Sequence, residues 1–382
     1  MQNTRREHLK LLGAAAFSAG FPRLIAAQPQ QTVNASSLPV LRDAAAAAGL
    51  LYGSCSDAWF RDTPPAWRKL VLSQCALYAA NLSWQDVAPD AAHEDDRRDA
   101  NLMIALAAGL KLTGAHLLWY LRTPPWLETL SRPQAEQAMA AHIQRLAGSY
   151  RGHCFSWNVV NEAIEPPQGG RDGLRMTSVL MRALGPEFFE PAFRAARTAD
   201  PGALLLYNES DLELAAPDQE ARRTALFHLL DRLQKAGAPI DGVGLQSHLK
   251  WARFDQFNEG VYRRFLHEIA ARGLKIVITE LDVDDRGAPA DPELRDKSVA
   301  GIYERFLAVA LDEPAVAALV TWGLSDAYSW YDLGYFPEFA RPDHLPQRPL
   351  LFDAELRPKP AFHAVLSALQ HAPRRPNYTR SA

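Results

Sequence analysis

Trp157-Asn158-Val159-Val160-Asn161-Glu162-Ala163 and Ile276-Val277-Ile278-Thr279-Glu280-Leu281-Asp282-Val283 decide how this chain folds. Each is an apolar, β-branched run that ends in a glutamate. A parallel strand buried on both faces reads as such a continuous run, and a polar group at its C-terminal tip is delivered into a cleft. Two glutamates on two strands far apart in sequence are what hydrolysis of a glycosidic bond needs. One must be a protonated acid and the other an ionised nucleophile or base.

Working outward, strand-like and helix-like segments alternate. The spacing predicts strands over 50–54, 77–84, 112–120, 155–161, 203–208, 243–248, 275–283 and 317–324. Amphipathic stretches lie between them at 95–108, 134–149, 188–199, 219–236, 257–272 and 293–311, and a last one spans 360–370. Gly109, Gly237 and Gly273 follow three of these stretches and Pro292 opens another, as helix ends and starts require. Eight strands alternating with helices indicate a (β/α)8 TIM barrel in a single catalytic domain. The runner-up, an open doubly wound sheet, lacks a Gly-rich nucleotide loop after its first strand.

At 48% hydrophobic and 22% charged, the chain can build a full core. A net charge of -3 gives no reason to expect nucleic acid or an anionic membrane as partner. Cys55, Cys75 and Cys154 are too few for a disulfide framework and lack metal-site spacing; buried thiols, or one optional bridge, are expected. Arg5-Arg6 followed by Leu9-Lys10 and a mild Ala/Gly-rich apolar run resembles a twin-arginine export signal. That run is too short to span a bilayer as a mature helix. The expected organisation is therefore a signal and linker over 1–34, a catalytic domain over 35–372 and a basic, disordered tail over 373–382. Expected localisation is periplasmic or secreted, with no membrane contact after cleavage and a monomeric mature chain.

In such a barrel, functional groups sit at the C-terminal ends of strands. Glu162 ends the fourth predicted strand, His248 the sixth, Glu280 the seventh and Trp322 the eighth. Asn161 precedes Glu162, and Asp282 lies two residues past Glu280. Polar groups at three of these strand tips are hard to explain as core.

Taken together, the two glutamate segments, Asp241-Gly242-Val243-Gly244-Leu245-Gln246-Ser247-His248-Leu249, Trp322-Gly323-Leu324-Ser325-Asp326 with Ser329-Trp330, Arg348-Pro349-Leu350-Leu351-Phe352-Asp353 and Pro358-Lys359-Pro360-Ala361-Phe362 resemble glycoside hydrolase family 10. That family is typified by endo-β-1,4-xylanases, and the resemblance runs from about residue 50 to 369. It implies a retaining endo-β-1,4-glycanase that needs no metal or organic cofactor and takes a polysaccharide or oligosaccharide substrate. Glu162 looks like the general acid/base and Glu280 like the nucleophile, with carboxyls roughly 5 Å apart. His248 is expected to hold Glu280 ionised, Asp282 to fix His248, and Asn161 to bond the sugar 2-hydroxyl. Gln246 and Asn208 resemble sugar-facing polar groups. Trp119, Trp322 and Trp330 match tryptophans that pack on sugar faces. The aromatic stretch 331–337 reads as a long loop over the cleft.

The departures are as specific as the matches. Where the family reads Glu-Asn-Glu-Met-Lys-Trp, this chain has Ala79-Ala80-Asn81-Leu82-Ser83-Trp84. Where it reads Gly-His-Thr-Leu-Val-Trp-His-Ser-Gln, this chain has Gly114-Ala115-His116-Leu117-Leu118-Trp119-Tyr120-Leu121-Arg122. A family Asp becomes Glu209. On a continuing strand, His116 is expected to point away from the face of Ala115. Tyr120 and Arg122 thus stand at substrate-facing positions with new chemistry. Arg122 suits an acidic sugar substituent, or else a protein carboxylate such as Glu128. The rebuilt glycone pocket favours a non-xylan β-glycan such as a bacterial exopolysaccharide. An ordinary endo-β-1,4-xylanase and a catalytically silent glycan-binding protein are the alternatives.

Overall fold

The computed structural model describes residues 38–55, 64–88, 90, 100–166, 171–332, 334 and 336–376. The expected export signal at 1–34 therefore lies outside the described residues, as does part of the 331–337 loop.

Ten strands form one sheet: β1 (Leu51–Cys55), β2 (Leu77–Asn81), β3 (Lys111–Ala115), β4 (Leu118–Trp119), β5 (Cys154–Asn161), β6 (Leu204–Glu209), β7 (Gly242–Leu245), β8 (His248–Lys250), β9 (Lys275–Asp284) and β10 (Val316–Thr321). Every pairing is parallel, and β10 pairs both β9 and β1, so the sheet closes on itself. Eight strands make the barrel; β4 and β8 are short extensions beside β5 and β9. The chain is thus the (β/α)8 barrel that the alternation predicts. Inside it, Leu77, Phe155, Leu204, Leu206, Val277 and Val320 interdigitate with Ala79, Ala317 and Ala318. Large side chains set against small ones fill a barrel interior without voids.

The outer helices begin and end where local chemistry dictates. Helix Pro292–Ala310 has proline in its first turn and Asp291 as cap, accepting from Leu294 N–H at 2.9 Å. Ser131 and Gln134 form a capping box on helix Arg132–Ser149. Helix Phe189–Ala199 buries Phe189, Ala192, Phe193 and Ala196, one face at helical spacing. Four shorter helices were not among the expected amphipathic stretches: Leu41–Ala47, Pro65–Gln74, Trp84–Val87 and Val179–Leu184. The second of these carries the β1-to-β2 crossover. Its signal was Pro65, followed by buried Trp67, Val71 and Gln74 at i, i+4 and i+7.

Two expected strands break, and both breaks matter. The third stops at Ala115 and resumes as β4, paired with Val160 and Asn161 of β5. The sixth stops at Leu245; Ser247 takes a left-handed φ of 60° before β8 pairs His248 with Asp282 of β9. Three cysteines are buried and unbridged. The expected disordered tail is tied down in part: Arg375 donates from its backbone to Ala48 O at 3.1 Å and from its guanidinium to Glu313 O and Val316 O at 2.9 Å each.

Candidate active site

Register shifts aim both glutamates. Between the pairs Asn158↔Leu206 and Val160↔Tyr207, β5 advances two residues while β6 advances one. Between Leu319↔Ile278 and Thr321↔Leu281, β9 advances three while β10 advances two. An extra residue of this kind bends a strand and re-aims its side chains. It sits just before Glu162 in one strand and around Glu280 in the other.

Glu280 is 4% exposed and fully partnered. Its Oε1 accepts from Asn208 Nδ2 at 2.8 Å, and its Oε2 faces His248 Nε2 at 3.3 Å. Asn208 is itself held by Thr279 Oγ1, which donates to its Oδ1 at 2.7 Å. Glycine at 244 makes room for that amide, since a Cβ there would lie 2.1 Å from Asn208 Oδ1. Asp282 accepts from His248 Nδ1, Tyr331 OH and Trp330 Nε1, each at 2.8 Å. Both ring nitrogens of His248 therefore face carboxylates. Burial opposes charge on His248, but the charge and hydrogen bond of Asp282, with those of Glu280, hold it well above the ordinary histidine value. Burial likewise pushes the Glu280 carboxyl up. The hydrogen bond from His248, the nearby His116 and the Asn208 amide more than offset it, leaving Glu280 below the ordinary carboxylate value. Because burial lowers the pKa of His116 itself, the task at neutral pH falls to His248 and Asn208.

Glu162 stands on a left-handed turn, with φ at 53°. A glutamate holds that conformation only when its surroundings fix it. Here they do. Glu162 N–H donates to Asn208 O at 3.0 Å and Arg175 Nε donates to Glu162 O at 3.1 Å. Ala163 N–H donates to Tyr207 OH at 3.1 Å and Ile164 N–H to Glu209 Oε2 at 3.3 Å. The side chain then accepts from Trp119 Nε1 on Oε2 at 3.0 Å and from Gln246 Nε2 on Oε1 at 2.8 Å.

One chain of amides joins the two carboxyl groups. Gln246 Nε2 contacts Glu162 and also Asn161 Oδ1, at 3.1 Å. Asn161 Oδ1 accepts from Asn208 Nδ2 at 2.8 Å, and the same Nδ2 reaches Glu280. Asn161 Nδ2 has no partner among the described residues, so one buried donor stays unused.

Of the residues read from sequence, Asn161, Glu162, Asn208, Gln246, His248, Glu280 and Asp282 meet in this one network. Trp119 joins it through its indole N–H. Trp322 packs edge-on to His248, with ring centroids 6.4 Å apart. Three residues expected to face substrate make contacts within the protein. Trp330 has its N–H tied to Asp282 and its ring among Tyr331, Phe336 and Phe339, 5.3 Å from the His248 ring, so it buttresses the histidine. Tyr120 carries the Arg175 guanidinium 3.9 Å above its ring, which covers one face. Arg122 faces Asp86 at 3.6 Å, while Glu128 pairs with Arg182. Glu209 turns away from the cleft to brace the Glu162 turn and bonds Arg222 and Tyr207. Its burial pushes it up to about 7 against the pull of Arg222.

Sequence reasoning missed Thr279, Tyr331 and Arg175, and it misplaced His116. That imidazole is 4% exposed, with Nε2 4.0 Å from Glu280 Oε1 and its ring edge-to-face with Trp119 at 5.2 Å. Strand alternation does not apply to it because β3 has already ended at Ala115. The break after a Gly-Ala pair was the only available signal.

Chemically, an ionised carboxylate fixed by a charged imidazole stands across an amide relay from a second carboxyl group. Such a pair can act on a polarised C–O bond from two sides.

Comparison with known proteins identifies the family. The sequence profile described as "Glycosyl hydrolase family 10" matches residues 40–368. Endo-1,4-beta-xylanase B of Thermotoga neapolitana is 29% identical over 294 residues, 76% of this chain and 78% of that protein. Endo-1,4-beta-xylanase 3 of Hypocrea jecorina is 30% identical over 275 residues, 71% of this chain and 69% of that one. The crystal structure of native xylanase 10B from Thermotoga maritima superposes with a TM-score of 0.74 at 27% identity, covering 87% of this chain and 98% of that one.

Proposed function

The chain belongs to glycosyl hydrolase family 10 and is a glycoside hydrolase of the endo-β-1,4-glycanase type with a polysaccharide substrate; on that premise we propose that it works by retention, with Glu280 as nucleophile and Glu162 as acid/base. The observation that carries this reading is the relay Glu162–Gln246–Asn161–Asn208–Glu280. It sets two carboxyl groups around one cleft, with only Glu280 backed by a charged histidine. In the first step Glu280 bonds to the anomeric carbon as the glycosidic C–O bond breaks, and Glu162 gives its proton to the leaving oxygen. In the second, Glu162 takes a proton from water, which attacks the same carbon and releases Glu280. The free N–H of Asn161 suits the sugar 2-hydroxyl, a contact that strengthens in an oxocarbenium-like transition state.

The test is twofold. Glu280→Ala should abolish turnover, and azide should restore it by attack from the vacated face. The first-formed hydrolysis product should carry the substrate's anomeric configuration by NMR. Inversion, or full activity in Glu280→Ala, would sink the assignment.

What the glycone side lacks supports our reading of the substrate. Ala79 and Ala80 are buried and have no polar side-chain group, and Ser83 Oγ is spent on Asn81 Oδ1 at 2.9 Å. With those sugar grips gone, a β-1,4-linked glycan other than xylan, such as a bacterial exopolysaccharide, is the favoured substrate. The xylanase names of the relatives favour a second reading, endo-1,4-β-xylanase with weakened distal contacts. Rates on xylan, cellulose, mixed-linkage glucan and bacterial exopolysaccharides separate the two; xylan as the fastest substrate would settle for the second. The paired Arg5 and Arg6 support twin-arginine export of the enzyme to the periplasm or beyond. Lysine at both positions should hold the precursor in the cytoplasm, and unimpaired export of that variant would count against it.

A further inference from the structure

His116 is a buried imidazole for which the proposed two-carboxylate chemistry has no task. Its Nδ1 lies 3.4 Å from Asn158 Nδ2. With the Asn158 amide oriented in this way its N–H donates to Nδ1, which assigns the ring proton to Nε2. Glu280 Oε1 is the carboxylate oxygen nearest that Nε2, and its charge favours a proton on this nitrogen. Burial lowers the pKa of the ring, in keeping with a neutral, single-tautomer donor. Yet the separation of 4.0 Å is too long for a hydrogen bond between the two. A hydroxyl oxygen placed at roughly 2.8 Å from both atoms would subtend an angle of about 90°, accepting from His116 and donating to Glu280. Trp119 closes the neighbouring side, edge-to-face against the imidazole.

From this gap we infer that His116 is a substrate-binding donor, gripping through Nε2–H a ring hydroxyl of the sugar under attack and sharing that hydroxyl with Glu280. Ala115, which precedes it, offers no polar group of its own. The two histidines at Glu280 then divide the work by charge. His248, between two carboxylates, carries a proton on each nitrogen and keeps Glu280 ionised. His116, with one proton, reads the sugar. This inference rests on the reading of Glu280 as the attacking carboxylate.

The test uses whichever of aryl β-xylobioside and aryl β-cellobioside the wild-type enzyme cleaves faster, with the analogues lacking the 2- or the 3-hydroxyl on the reacting ring. His116→Leu should lower kcat/KM on the parent glycoside by roughly tenfold or more, as a site built to bond a hydroxyl does when its donor is lost. On the analogue lacking the gripped hydroxyl, wild type and variant should agree within about threefold. His116→Gln, which keeps an N–H donor of similar reach, should recover most of the loss. Equal losses on parent and both analogues would make His116 merely structural and overturn the inference. A second measurement needs no variant: in wild-type protein labelled with 15N-histidine, His116 should be neutral with its proton on Nε2, and saturating xylobiose or cellobiose should shift that resonance. A proton on Nδ1, or no shift, would overturn it too. Turnover surviving in Glu280→Ala would instead sink the reading of Glu280, whatever His116 does.

Discussion

His248 Nδ1 and Asp282 Oδ1 meet at 2.8 Å, and that contact governs the charge around Glu280. Asp282 is fully buried and accepts three donors, from His248, Tyr331 and Trp330. It thereby keeps His248 protonated, and His248 in turn offsets the burial that would neutralise Glu280. Trp330 belongs to this support, which explains why an aromatic loop beyond β10 bears on chemistry at β9.

A first prediction follows for Asp282→Asn. An asparagine offers one acceptor oxygen where three donors converge, and it removes the charge that raises the pKa of His248. Glu280, whose folded pKa is depressed, is ionised above that value, and in its proposed role as nucleophile it is lost when pH falls through that value. With His248 less charged, burial dominates and the Glu280 pKa rises. The acid limb of kcat/KM should move to higher pH, and kcat at neutral pH should fall roughly tenfold or more. An acid limb that stays in place would show that His248 does not hold the charge of Glu280.

Trp119→Phe tests the opposite carboxyl. Phenylalanine keeps an aromatic ring against His116 but removes the N–H that reaches Glu162 Oε2 at 3.0 Å. A lost hydrogen bond to a carboxyl group costs about 1.5–3 kcal/mol, on the order of 10- to 100-fold in rate. The loss should fall on substrates with poor leaving groups, which need the proton, and spare activated aryl glycosides. Uniform losses across leaving groups would point to sugar stacking as the chief role of Trp119.

The barrel and the meeting of its carboxyl groups were legible in the sequence for a plain reason. Strands buried on both faces spell themselves out as apolar runs, and a glutamate that ends such a run has nowhere to go but the cleft. The register shifts in β5 and β9 were not legible, because one extra residue changes the pairing without altering the hydrophobic pattern. His116 was misread for a related reason: alternation was carried past Ala115, where pairing had stopped. A protein carboxylate for Arg122 was one of the two readings, but Glu128, offered as its example, pairs with Arg182, and Asp86 of the short helix Trp84–Val87 stands there instead, a contact between segments that no local pattern spells out.

That last partner changes what Arg122 is expected to do. With Asp86 facing it, its charge has a protein counterpart. Arg122→Gln should therefore alter kcat/KM by no more than roughly threefold, and equally on an acidic glycan and on its carboxyl-reduced form, as a half-exposed pair contributes little. A loss of tenfold or more confined to the acidic form would restore Arg122 as a reader of sugar acids.

The motif residues beyond the cleft have a mechanical role, and Lys359 shows it. Its ammonium, 3% exposed, donates to Asp326 Oδ2 and Arg348 O at 2.8 Å each and lies 3.4 Å from Asp296. This pins the segment leaving β10 to the chain that returns before the last helix. Burial lifts Asp326 to about 6, although Lys359 pulls it down. Lys359→Met removes that pull and leaves a buried carboxyl group without its cation, a change that costs about 3–5 kcal/mol when the charge persists. The sign of the pH dependence follows. Without Lys359 the Asp326 pKa climbs further, so at pH 5 the group takes up a proton and the burden lifts. At pH 8 more of it must stay ionised or be protonated against the solution. Urea denaturation should therefore show the variant losing more stability at pH 8 than at pH 5, relative to wild type. Equal losses at both would place the cost in the packing of the lost side chain and not in a stranded carboxylate.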